Sequence, residues 1–159
     1  MSNLVVLAFD NETGAHETLA EVENLQQKNL IHVDDAATAV RSAGGKVKVK
    51  QAKSLAGAGA LGGAFWGMLF GLLFFVPFLG MAIGAATGAL FGKAADYGIN
   101  DDFIRRVSDA VQPGNSALFL LASEAQTDKV VETLKPYGGK VIYTSLSKDE
   151  EARLKEAFA

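Results

Sequence analysis

Residues 57–62 read GAGALG, which satisfies the G-x-G-x-x-G spacing that opens a dinucleotide-binding turn, and the preceding KVKVKQ has the alternation of the strand such a turn follows. In that chemistry the glycines admit a pyrophosphate to backbone amides, and an acidic side chain roughly twenty residues on binds the ribose hydroxyl. The corresponding region here, VPFLG, carries no carboxylate. Cofactor chemistry also gives no reason for the glycines to continue at Gly59, Gly63, Gly67 and Gly71, and after Pro77 at Gly80, Gly84, Gly88 and Gly92. Steps of four residues mark one helical face. A helix-interior glycine costs about 1 kcal/mol relative to alanine, so eight such positions cost on the order of 8 kcal/mol. Close approach of two helix backbones offsets that cost through dispersion and Cα–H contacts along the seam. These glycines are therefore read as a double G-x-x-x-G zipper, and no cofactor is expected.

The remaining chemistry-bearing residues are sparse. There is no cysteine, and the two histidines, His16 and His32, lack companions at metal-ligand spacing, so no metal site is expected. Asp34 and Asp35 are adjacent in a strand-like stretch and point to opposite faces, so they cannot easily share one proton or one metal; an exposed sheet edge is the expected setting. Asp101 and Asp102 are expected at a helix start, where a carboxylate complements the positive end of the dipole. No Ser-His-Asp set, H-E-x-x-H or Walker A pattern occurs, and the expectation is a protein that is not an enzyme, with no catalytic residues. A net charge of −3 and a pI near 5.4 argue against nucleic acid as a partner.

The elements that must position these residues follow from patterning. The opening MSNLVVLAFDNE lacks a basic segment ahead of its apolar run and is read as a first strand, not a signal peptide. Thr13 to Lys28 carries Leu19, Val22 and Leu25 at helical spacing behind the turn-like DNETG. IHVDDAATAVR reads as a strand, SAGG as a turn, and KVKVKQ as an edge strand with Lys46, Lys48 and Lys50 on one face. Such a row first of all guards an edge against sheet aggregation; the sharper alternative is attraction to membrane headgroups. Beyond the apolar stretch, Asn100 or Asp101 can cap a helix bearing Phe103, Ile104, Val107 and Val111, which Pro113-Gly114 ends. SALFLLAS is a strand, Thr127 to Lys135 a short helix and KVIYTSL another strand. In the tail, Ser147 and Glu150 form a capping box ahead of a helix with Leu154 and Phe158 on one side. GGKV occurs at Gly44 to Val47 and again at Gly138 to Val141, too short an echo to be a repeat.

The expected fold class is α+β. The first six elements spell a ferredoxin-like βαββαβ domain, with an extra C-terminal αβ(α), interrupted by an inserted apolar glycine-zipper helical hairpin. The expected domains are residues 1–53 with 97–159 for the α+β part and 54–96 for the hairpin. From Ser54 to Gly92 no residue is charged, and Lys53 and Lys93 close the run. Arms over residues 55–76 and 78–95 would be roughly 33 and 27 Å long, near bilayer thickness. Their apex, with Phe74, Phe75, Pro77 and Phe78, is apolar where a loop emerging into water would be polar. The tip is therefore expected inside the membrane as a re-entrant hairpin, or against other copies. Lys46, Lys48, Lys50, Lys53 and Lys93, with Arg105 and Arg106, flank both ends and favour the cytoplasmic side for the α+β domain and both termini.

With the VKVKQAKS lead-in, the double glycine zipper, the Asp101-Asp102-Phe103-Ile104 helix start, Asp34-Asp35-Ala36 and GGKVKV in view, the chain resembles a bacterial and archaeal family of uncharacterised membrane proteins with a ferredoxin-like cytosolic part. The resemblance implies a place in the inner (cytoplasmic) membrane and no activity or residue role. The sequence thus leads to the expectation of a non-enzymatic membrane-associated protein that self-assembles as a homo-oligomer, with membrane lipid as a further partner and roles such as stress-related stabilisation open. Two alternatives stand beside it. One is a soluble cytoplasmic particle whose hairpins share an apolar core. The other is a ligand-sensing domain coupled to the hairpin, its small-molecule ligand unknown.

Overall fold

The computed structural model describes residues 3–51, 101–125 and 127–158. Five strands and four helices are formed there: β1 (Asn3–Phe9), α1 (Gly14–Gln27), β2 (Ile31–Arg41), β3 (Val47–Gln51), α2 (Asp101–Ala110), β4 (Ser116–Ala125), α3 (Thr127–Leu134), β5 (Lys140–Thr144) and α4 (Lys148–Phe158). A 3-10 turn, Lys135–Tyr137, joins α3 to β5 where Pro136 cannot continue an α-helix. The protein is α+β, with one antiparallel sheet in the order β3-β2-β4-β1-β5. Among the described residues no helix is long and apolar enough to cross a membrane.

The strand order follows from which sequences tolerate burial. β4 pairs with both β1 and β2, and β1 pairs with both β4 and β5, all antiparallel. LVVLAF in β1 and ALFLLA in β4 are apolar at successive positions, as strands covered on both faces must be. The reading of the first six elements as one βαββαβ unit would place the strand at 47–51 in the interior beside β1. That position belongs to β4 instead, because β3 alternates valine with lysine and its ammonium groups need solvent. β3 is an edge strand, as its lysines lead one to expect.

One sheet face is covered by α1 and α3. Ala15, Val22 and Leu25 of α1 and Val130 and Leu134 of α3 pack with Leu7, Phe9, Val33, Leu118 and Leu120 in one buried cluster. Leu154 and Phe158 of α4 pack against its margin, the two positions that share a side of that helix. The opposite face carries Leu4 and Val6 of β1 opposite Leu121 and Phe119 of β4, all fully buried. There Tyr143, opposite Val6, meets the buried Phe103 of α2 edge to face, with ring centroids 4.6 Å apart.

Helix ends are closed by side chains. Asn11 Oδ1 accepts the backbone N–H groups of Thr13 and Gly14 at the start of α1. Ser116 Oγ of β4 accepts that of Ala15 at 3.1 Å and donates to the Asn11 carbonyl at 2.8 Å. At α4 the capping box forms: Glu150 N–H donates to Ser147 Oγ, and Ser147 N–H donates to Glu150 Oε2.

Candidate functional site

The sequence directs attention to the strand that leads into the charge-free run. The turn before it is built from Ser42, whose N–H donates to the Lys46 carbonyl while its Oγ accepts the Lys46 N–H. Gly45, with φ near +88°, sits in the left-handed region this turn needs. β3 then pairs antiparallel with β2, with Lys48 opposite Val40 and Lys50 opposite Thr38. Lys46, Lys48 and Lys50 are all exposed. On the alternate face Val49, opposite Ala39, is 40 % exposed, the one large hydrophobic side chain so exposed among the described residues. β3 ends at Gln51, two residues before Lys53.

The zipper glycines Gly59, Gly63, Gly67, Gly71, Gly80, Gly84, Gly88 and Gly92, the apex residues Phe74, Phe75, Pro77 and Phe78, and the flanking Lys53 and Lys93 lie outside the described residues.

The acidic pair does not sit at an exposed edge. β2 lies between β3 and β4 in the sheet; β3 pairs it over residues 37–41, and Asp35 stands opposite Leu121 of β4. Its register with β4 shifts between His32 and Val33 and again between Val33 and Asp35, which leaves Asp34 as an extra residue in the ladder. The two carboxylates sit in different surroundings. Asp34 is 22 % exposed and lies 3.1 Å from Nε2 of the exposed His32. Asp35 is fully buried, and its Oδ1 accepts the N–H of Ala36 at 2.9 Å. An acidic side chain in a run of small residues carries no signal of burial by itself; its register opposite the fully buried Leu121 of β4 reveals it.

A second polar group gathers where α2, β5 and α4 meet, which patterning did not single out. Asp102 pairs with Arg106 at 3.0 Å and with Arg105 at 3.5 Å, one turn along α2. Glu151 accepts from Lys155 at 2.7 Å and from Thr144 Oγ1 at 3.2 Å. Burial pushes the Tyr143 phenol above its ordinary range, the Glu151 carboxylate adds to the rise, and Arg106 opposes it. Glu151 is held below the usual carboxylate range, chiefly by the hydrogen bond from Lys155 against a smaller opposing effect of burial. The Thr144–Glu151 hydrogen bond fastens α4 to β5. Among the described residues no three His, Asp or Glu side chains gather as a metal site would require.

The described part is thus a small antiparallel α+β domain whose lysine-bearing edge strand leads into a glycine-rich, charge-free run. The chain belongs to the family described as "Protein of unknown function (DUF1269)", whose model matches residues 60–159. No curated protein and no solved structure matches it. The matched region begins inside the charge-free run and continues through α2, β4, α3, β5 and α4.

Proposed function

We propose that this chain is a non-enzymatic membrane-associated protein that self-assembles through its double glycine zipper, with the α+β domain held at the cytoplasmic face of a bacterial or archaeal membrane. The observation that carries this reading is the run from Ser54 to Gly92, free of charge and stepped by glycine every fourth residue, attached directly to the outermost strand of the sheet. A run this apolar cannot remain in water as part of a monomer. Its attachment at an edge lets it leave the domain without breaking the β5-β1-β4-β2 ladder. That ladder supports a ferredoxin-like unit: α1 carries the chain from β1 to β2 across β4, and α3 carries it from β4 to β5 across β1, both helices on one face. β3 is then an addition to its edge.

The test is lysis without detergent, an alkaline carbonate wash and flotation of the full chain. Flotation after the wash is the expected result. Recovery as a large soluble particle would overturn the membrane reading and leave the glycine zipper as the core of a soluble assembly. Gly67→Leu with Gly84→Leu is expected to reduce particle mass under native conditions, and an unchanged mass would remove the zipper from the assembly.

A further inference from the structure

We infer that the β3 edge is a docking surface for anionic phospholipid headgroups, with Lys46, Lys48 and Lys50 as the groups that read the lipid's charge. The inference rests on the membrane reading above and names the lipid class which that reading leaves open. Residues 41–51 contain Arg41 and these three lysines and no carboxylate, in a chain whose net charge is −3. The positive charge is therefore local. α1, on one face of the same sheet, carries Glu17, Glu21 and Glu23 and no lysine or arginine.

Geometry makes the row usable. Lys48 and Lys50 stand opposite Val40 and Thr38, so their side chains leave the same face of β3, roughly 6.6–6.8 Å apart along the strand. That spacing is within one Debye length at physiological salt, so an anionic surface meets them as one positive patch. Among the described residues none of the three forms an ion pair, whereas Arg105, Arg106 and Lys155 are each taken by a carboxylate on their own helix. Among the described residues the outer rim of β3 has no neighbouring strand.

Three occupants compete for such an edge. A second copy pairing antiparallel along β3 would set lysines against lysines, and like charges directly opposite destabilise a strand pair. An acidic extended peptide satisfies the charge but has no relation to the apolar run on the C-terminal side of the strand. A lipid surface satisfies both, because β3 ends two residues before Lys53 and the charge-free run. Lysines immediately outside a membrane-inserted segment meet anionic headgroups in the order the chain supplies them.

The experiment uses the full chain reconstituted into vesicles of phosphatidylcholine alone, or of phosphatidylcholine and phosphatidylglycerol in equal parts. Each lysine's rate of reaction with an amine-directed acylating reagent is read by peptide mass spectrometry. Lys46, Lys48 and Lys50 are expected to react about fivefold more slowly in the phosphatidylglycerol vesicles, the fold-change that about 1 kcal/mol per lysine at an anionic surface implies. Lys28 and Lys129, exposed away from β3, are the internal standards. The protection should vanish at about 1 M salt, where the Debye length is about 3 Å. Failure to float with either vesicle overturns the membrane reading and this inference together. Flotation with equal lysine reactivity in both vesicles overturns this inference alone. Protection of the lysines by soluble polyglutamate as strong as that by phosphatidylglycerol would assign the edge to an acidic strand instead. In a Lys48→Gln, Lys50→Gln variant, aggregation without lipid and unchanged protection of Lys46 would reduce the row to edge protection.

Discussion

Gly139 meets the ring of Phe9 so closely that a Cβ on it would stand 2.8 Å from Cε1, and Gly14 meets the same residue, where a Cβ would stand 2.7 Å from its Cβ, Cγ and Cδ1. Phe9, at the end of β1, is 2 % exposed, and both the loop into α1 and the turn into β5 close over it. A ring held on both sides in this way has nowhere to move. Gly14→Ala and Gly139→Ala are each expected to cost about 1–3 kcal/mol through overpacking, read as a fall in the urea midpoint. Pairing Gly139→Ala with Phe9→Leu should cost less than the sum of the two single changes, because leucine lacks the Cε1 and Cζ atoms that the new methyl group would meet. Additive effects would show that the ring does not impose the glycine.

Asp35 gives a second test, on the interior of the sheet. Its carboxylate is fully buried and satisfies the N–H of Ala36, itself fully buried. Asp35→Ala removes that acceptor and should cost about 1–3 kcal/mol, the penalty of stranding a buried donor. Asp35→Asn keeps an oxygen in place and should cost less. A loss for alanine no greater than that for asparagine, in the same denaturation assay, would mean that this hydrogen bond contributes nothing.

Much of this fold is legible in the sequence, and the reasons it is legible are local. β2 occupies Ile31–Arg41 as patterning indicates, because β-branched and small residues alternate there between turns. The capping box at Ser147 and Glu150 is a four-residue signal and forms as read. Strand order is not local: whether 47–51 or 116–125 lies beside β1 depends on which strand can be buried on both faces, and that comparison has to be made across the whole chain. The burial of Asp35 is hidden for the same reason. The echo of GGKV also dissolves, since the left-handed glycine is the second of the pair at Gly45 and the first at Gly138. The candidate site is legible as composition, in the lysine row and the four-residue glycine steps. The shared face of the lysines follows from the alternation itself; their partners, Val40 opposite Lys48 and Thr38 opposite Lys50, come only from the register with β2.

Titration of the α2–β5–α4 junction gives two opposite pH signatures. Glu151, held below the usual carboxylate range chiefly by the Lys155 hydrogen bond, is ionised more readily in the folded state than in the unfolded state. Its contribution to stability is present above the unfolded carboxylate range and is lost as pH falls through the folded value. Glu151→Gln should therefore destabilise α4 at neutral pH, and its difference from the parent should shrink toward pH 3 to 4, about where carboxylates protonate. A difference independent of pH, in thermal melts across that window, would assign the effect to packing.

Tyr143 works in the other direction. Burial first, and then the neighbouring Glu151, raise its phenol above the ordinary value of 10.0, so the folded state holds the proton more tightly than the unfolded state. Stability tied to this proton is complete below the unfolded value and falls as pH rises beyond it. Tyr143→Phe retains the ring that meets Phe103 and removes the proton. Its stability profile should lie near the parent's at neutral pH and decline less steeply above about pH 10, where unperturbed phenols ionise. An equally steep decline in the variant would place the alkaline sensitivity elsewhere.

Ser116 joins the two halves of the chain that the charge-free run separates. It opens β4, is fully buried, and its single hydroxyl accepts from Ala15 at the start of α1 and donates to the Asn11 carbonyl. Its partners therefore lie about a hundred residues earlier, on the far side of the run. Ser116→Ala would strand the buried N–H of Ala15, which should cost about 1–3 kcal/mol. The loss ought to be concentrated where the bond is: hydrogen exchange at the Ala15 amide should quicken more than at Leu25, near the other end of the same helix. Because α1 also packs against β4, a cap lost at its first turn weakens the seating of β4 between β1 and β2, so global stability should fall in step with the local change. A Ser116→Ala protein with unaltered exchange at Ala15 and an unaltered urea midpoint would show that the helix start is held by Asn11 alone, and that the halves are joined by the apolar pairing of β4 without this hydroxyl.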